Sequence, residues 1–365
     1  MSTFLNKRGR ASPSTNHKLK SPSPVTHKQN MGKIKVNALS PKRKKAARLI
    51  ERYYGIADWD LIDRIRIEIF HPKKKLKERK EAYKKFKDVI SALKPIFKKI
   101  VIERSRLAKD EGFPSHLEYV LKNDGTPEEK LGFFFKNADK VIEEVNKNLP
   151  LPNKLPKWYW SEFNIPDSLY LINPPKFTIP EDVYKLAKKK LPEVKKVISK
   201  IKIEKKIGFN PSARYDWKNK KVIIETPIKP SIYHVLTFIH ELGHAIYFLK
   251  LAEKKIAPLS KSRYWHEKKA FKFKFKFENL ALPKEIKNAS RERVLADFLT
   301  AFFEHQVYTN PNQDFDKVYA ESINRCYPNK PKQKSNPFYV LENSLIFRPC
   351  GTVTGSVVRA ELLSE

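Results

Sequence analysis

Residues 231–249 read SIYHVLTFIHELGHAIYFL, in which His240, Glu241 and His244 form an HExxH string inside a helical apolar pattern. A spacing of four residues puts both imidazoles on one helix face, one turn apart, where two nitrogens reach one zinc ion at about 2.0–2.1 Å. Glu241, the next residue along, reaches a water held by that ion. The metal polarises a carbonyl and lowers the pKa of the water towards about 7, while the carboxylate takes the proton and later delivers it to a leaving amine. The implied chemistry is metal-assisted amide hydrolysis with Glu241 as general base, then acid. A two-histidine zinc needs a third protein ligand and an open position. Downstream candidates are Glu267 in SRYWHEKKAF, and Glu292 and Asp297 in the helical pattern SRERVLADFLTAFFEHQVY. Asp297, Ala301 and Glu304 share one face of that helix, and Val294, Leu295, Phe298, Leu299 and Phe302 anchor it in a core. An acidic residue at 297 is therefore costly without a partner, and metal ligation supplies one. Glu292 lies about 140° away round the helix, near its expected start, where a charge beside the N-terminal dipole accounts for it. The ligand set expected is His240, His244 and Asp297 holding one zinc per chain, with Glu292 and Glu267 as alternatives. Glu304 is placed to orient a ligand histidine through its other ring nitrogen.

The elements that must carry these residues are mostly helices. From Lys42 to about Pro150 apolar residues recur three and four apart, with Pro95 marking a kink or break. After Gly112 a helix, an Asn-Asp-Gly turn and a second helix opened by Thr126 and Pro127 are predicted. The stretch LPLPNKLPKWYWSEFNIPDSLYLINPPKFTIP (Leu149 to Pro180) reads as an irregular linker, and EDVYKLAKKKLPEVKKVISKIK as a Lys-rich helix. A turn at Asn219 leads into a strand at Val222 to Thr226, just ahead of the HExxH helix. That strand is expected to align a peptide through main-chain hydrogen bonds. FKFKFKFE (Phe271 to Glu278) alternates strictly and reads as an edge strand whose lysines block aggregation.

Composition bounds the alternatives. The 365 residues carry 75 Lys plus Arg against 40 Asp plus Glu, a formal net charge of +35. Residues 1–45 hold 12 of the basic residues and no acidic one, are rich in Ser and Pro, and read as a disordered basic tail ending in Pro41 to Lys45. The tail offers weak binding to nucleic acid or another acidic surface, and a nucleic-acid-associated protein using an enzyme-like fold as scaffold is the alternative function. No base-reading motif is present. Two cysteines outside any CxxC pair give no disulfide framework and no thiolate zinc site, which points to an intracellular, cytoplasmic compartment, with nuclear or organellar targeting by the tail left open. No apolar run reaches the roughly 20 residues of a membrane span, and no GxGxxG or P-loop string occurs.

These residues resemble the thimet oligopeptidase and oligoendopeptidase F family of zinc peptidases. Ala296 to Glu304 (ADFLTAFFE) is similar to the element carrying the family's third ligand and a second acidic residue seven positions on, and Arg104 to Leu121 (RSRLAKDEGFPSHLEYVL) resembles its upstream helical region. The resemblance implies a mainly α fold with a small β-sheet, zincin-like, enclosing a channel with zinc at its floor, and cleavage of short or unstructured peptides. The chain is thus expected to divide into a tail at 1–45, an N-terminal helical region at 46–160 and a catalytic region at 161–365. Two departures stand out: Asp occupies the ligand position, and 53 residues separate it from His244, about twice the family's interval. The stretch at about 251–289 is thus expected to be an insertion. The family's oxyanion donors lie in a C-terminal segment that here has Tyr339, Gly351 and Gly355 but no His, which nominates Tyr339, or Tyr327, for that hydrogen bond.

Overall fold

The amphipathic patterns fold as helices in two apolar clusters, one of which includes a three-stranded sheet. The computed structural model describes residues 41–57, 75–147, 180–206, 211–228, 232–257, 261–282, 284–329, 332–341, 345 and 350–364. In chain order these form α1 (Pro41–Ile56), α2 (Leu76–Asp110), α3 (His116–Asp124), α4 (Glu128–Lys147), α5 (Pro180–Lys190), α6 (Pro192–Val197), β1 (Ile201–Lys206), β2 (Ser212–Asp216), β3 (Lys221–Pro227), α7 (Ile232–Glu253), α8 (Arg263–Ala281), α9 (Lys284–Thr309), α10 (Phe315–Cys326) and α11 (Gly351–Ser364). The mainly α class with one small sheet is as expected. None of the described helices is long and apolar enough to cross a membrane.

Several expectations are revised by the packing. Pro41 to Lys45, expected as the end of a disordered tail, is the first turn of α1, where Arg43 pairs with Glu111 at 2.8 Å and Lys45 with Glu103 at 2.8 Å on α2. Residues 1–40 and the linker at 148–179 lie outside the described residues. Helix α2 runs unbroken through Pro95. The Lys-rich helix expected over 181–202 divides at Leu191, because Pro192 opens a new helix, and its last two residues begin β1.

The sheet has the order β1-β3-β2, with β1 parallel to β3 (Ile201 opposite Val222) and β2 antiparallel to it (Ala213 opposite Ile224). β3 is therefore the central strand, hydrogen-bonded on both sides. The expectation that it would align a peptide fails for that reason, and β1 and β2 form the two edges.

Two apolar clusters meet at α8. One joins α1–α4 to α9–α11 and takes in Tyr264 and Phe271, and the other joins α5, α6, the sheet and α7 and takes in Phe273 and Phe277. This corrects the reading of FKFKFKFE as a strand. In a helix, residues two apart lie about 200° apart. Phe271 and Phe275 thus face one cluster while Phe273 and Phe277 face the other, and the alternation of a strand is also the pattern of a helix clamped between two cores. Lys272 and Lys276 remain exposed, and Lys274 is buried beside Glu278 at 3.4 Å. The stretch at about 251–289, expected to be an insertion, holds this helix together with the end of α7 and the start of α9.

Candidate metal centre

Both histidines stand on α7, an apolar helix buried along most of its length. His240 Nε2 lies 3.0 Å from His244 Nε2. Glu267, from α8, brings Oε2 to 3.1 Å from His240 Nε2 and Oε1 to 3.9 Å from His244 Nε2. Potential ligand atoms of His240, His244 and Glu267 all lie within 4.8 Å of one another. Ligands bound tetrahedrally at about 2.0–2.1 Å are spaced about 3.3 Å apart, so the three groups fit a zinc ion in size as well as in chemistry. The side chains are 11–18 % exposed.

Two close approaches set this geometry. A Cβ on Gly243 would lie 2.9 Å from both Cα and the carbonyl oxygen of Ala270, so only glycine lets α7 and α8 come together at this point. Ser262 caps α8 by accepting from Trp265 N–H. Gly125, at φ +63, ends α3 against that cap, where a Cβ would meet the Ser262 Cβ at 2.5 Å. The first turn of α8 is held by Arg263, whose Nη1 lies 3.3 Å from Asp124 Oδ2 and whose Nε is 3.9 Å from Glu267 Oε1. Thr354 on α11 donates to the same Asp124 oxygen at 2.9 Å.

Electrostatics favour the ligand forms. Burial, with the neighbouring His240 charge, lowers the His244 pKa to about 3, which keeps its nitrogen lone pair free. Burial alone would raise Glu267. The hydrogen bond and charge of His240, with His244 and Arg263, outweigh it and hold the carboxylate well below its usual range. Glu241 turns toward the sheet, and its Oε2 accepts the Ala213 N–H of edge strand β2 at 2.8 Å. That amide points away from β3, so the edge of β2 runs past the general-base candidate.

The other expected site residues lie elsewhere. Asp297 is not part of the three-residue cluster: its carboxylate pairs with Arg359 and, at 3.3 Å, with Arg293. A largely covered acid there does need a partner, and the partners are guanidinium groups. Glu304 is fully buried, takes the Cys350 N–H at 2.5 Å on Oε1, and makes no bond to either histidine. Tyr339 donates to Asp316 at 3.1 Å within a cluster of Phe97, Phe303, Phe315 and Tyr319, which occupies the hydroxyl nominated for an oxyanion. Tyr327 is buried. Glu292 is buried two turns inside α9 rather than at its start. Glu267, one of the alternatives, is the acidic residue that meets the histidines. Its sequence signal was a Ser-capped helix beginning 19 residues after His244, masked by the alternation that follows it.

No protein-family model and no curated protein matches the chain. Solved structures do. A 3.1 Å structure assigned as oligoendopeptidase F superposes with a TM-score of 0.55 at 13% identity, over 88% of this chain and 66% of that one. PZ peptidase A, solved with an inhibitor, gives 0.54 at 13% identity with the same coverage. A protein assigned as oligoendopeptidase F from Bacillus anthracis gives 0.52 at 14%, over 84% and 63%. The chain spans about two thirds of the length of these structures. At such identities the likeness is one of architecture, and the chain has the helical fold of oligoendopeptidase F and PZ peptidase A.

Proposed function

We propose that the protein is a zinc peptidase in which His240, His244 and Glu267 hold the metal and Glu241 is the general base. The convergence of two imidazoles and a carboxylate at metal-ligand spacing beside Glu241 carries this reading. Zinc held there would supply Lewis acidity, polarising a substrate carbonyl and acidifying water. Glu241 takes the proton from that water on its carboxylate and returns it to the leaving amine. The edge of β2 offers outward main-chain groups, beginning at Ala213, to an extended substrate, so an unstructured peptide adds as a further strand. The Ala213 N–H now bonded to Glu241 is then available to a substrate carbonyl. Short or unfolded peptides are the substrate class, in keeping with a fold shared with PZ peptidase A and oligoendopeptidase F.

The test is Glu241→Gln. It is expected to keep about one zinc per chain and to lose cleavage of a library of unstructured peptides by at least about a hundredfold, the usual worth of a general base. A variant that binds zinc and cleaves like the wild type contradicts the mechanism.

A further inference from the structure

A metal-binding imidazole is normally held in register by a hydrogen bond from its second ring nitrogen to a carboxylate, carbonyl or water. Here Nδ1 of His240 and Nδ1 of His244 are both shut off from solvent and find no acceptor among the described residues. Rotation of the His240 ring is opposed by packing instead. Its ring centroid lies 4.4 Å from that of Phe271, at an interplanar angle of 50°. Phe271 is one turn along α8 from Glu267, so the helix that supplies the carboxylate also supplies the wall.

The wall is itself braced. The Arg359 guanidinium lies over the Phe271 ring at 4.4 Å, a cation–π contact in a buried setting. Arg359 is fixed by Asp297 and by the Arg293 carbonyl at 3.4 Å, and the Asp297 carbonyl receives Ser356 Oγ at 3.0 Å. Gly355 sits beside the same ring, where a Cβ would lie 3.8 Å from Phe271 Cε2.

We infer that Phe271, backed by Arg359 and Asp297, is the positioning residue that aims His240 at the metal site, by packing against a ring whose Nδ1 is not held by a hydrogen bond among the described residues. The inference rests on the zinc reading above. On this account Asp297 serves the metal at a distance, through Arg359 and Phe271.

The experiment is chelator competition for zinc on the metal-free full-length chain, with the visible spectrum of the cobalt form and the melting temperature of the apo form recorded beside it. The proteins are wild type, Phe271→Leu, Arg359→Lys and the double variant. Phe271→Leu keeps most of the buried volume and is expected to weaken zinc by at least about tenfold, the loss typical of a missing orienting partner. Its cobalt bands are expected to shift in position or intensity. Arg359→Lys keeps a charge for Asp297 but gives up the planar stack, and is expected to weaken zinc about threefold. The double variant is expected to bind no more weakly than Phe271→Leu, because Arg359 acts through the ring. A wild type that binds zinc beside a Phe271→Leu protein within twofold of it overturns the inference. So does a double variant whose losses simply add. If Phe271→Leu does not fold, an Arg359→Lys protein with wild-type affinity and an unshifted cobalt spectrum has the same force. A merely structural role would lower the apo melting temperature and leave both metal readouts unmoved. A wild type that binds no zinc contradicts the proposed function itself.

Discussion

Gly243→Ala probes the contact that brings the third ligand to the histidines. The added methyl would meet Ala270 Cα and its carbonyl oxygen at 2.9 Å, and Phe273 Cβ at 3.2 Å. Carbon–carbon contact is comfortable at roughly 3.5–4.0 Å, so α7 and α8 must part by about 0.6–1 Å. Overpacking of this kind costs about 1–3 kcal/mol, while alanine in a helix interior returns about 1 kcal/mol relative to glycine. The net loss of fold stability is thus only about 0–2 kcal/mol. The site suffers more, because Glu267 sits one turn from Ala270 on the same helix and ligand distances tolerate only about 0.2 Å. Zinc affinity is expected to fall at least about tenfold while the apo protein melts within about 8 °C of wild type. The two nearest obstructing atoms belong to the Ala270 backbone, so adding Ala270→Gly is expected to give no rescue. Chelator competition and thermal melting of the single and double variants check this. Wild-type affinity in Gly243→Ala, or its recovery in the double variant, would refute the reasoning.

Two further predictions concern buried carboxyl groups away from the metal. Glu361 receives Lys130 at 2.8 Å, Lys268 at 2.7 Å and the Tyr264 hydroxyl at 2.5 Å, tying α11 to α4 and α8. Burial pushes this carboxyl up, but these partners hold its pKa at about 2, below the ordinary 4.5. Its stabilisation is therefore complete above pH 4.5 and is lost as pH falls towards 2. Glu361→Gln should cost about 2–3 kcal/mol at pH 7 and clearly less at pH 3, measured by urea unfolding; equal losses at both pH values would contradict the linkage. Glu304 has the opposite sign, since burial raises its pKa from 4.5 to about 8. Its folded form holds a proton that the unfolded chain releases, so the wild type loses stability as pH rises from about 4.5 to 8. Glu304→Gln should therefore gain on the wild type between pH 5 and pH 8, and parallel melting curves across that range would count against it.

The part of the site that was legible in the sequence is local. His240, Glu241 and His244 stand on one helix, and helical periodicity fixes their common face without reference to the rest of the chain. Glu267 was obscured because FKFKFKFE satisfies the strand template, and nothing within eight residues reveals that two cores flank the segment. Once α8 is recognised as a helix between them, Glu267 follows as its first acidic residue. The argument from Asp297 was sound in its physics, since a buried carboxylate needs a partner. That partner, Arg359, lies 62 residues on and comes into reach only through the packing of α11 on α9. The edge strand was hidden in the same way, because β1 sits in a lysine-rich stretch and only the ladder shows that β3 is flanked on both sides.

The central claim is that Glu267, and not Asp297, completes the metal centre. Zinc content measured by elemental analysis after equilibration with excess zinc and gel filtration tests it most directly, on wild type, Glu267→Ala and Asp297→Ala. About one zinc per chain is expected in the wild type and retained in Asp297→Ala, with little or none in Glu267→Ala. Zinc retained by Glu267→Ala and lost from Asp297→Ala would contradict the account.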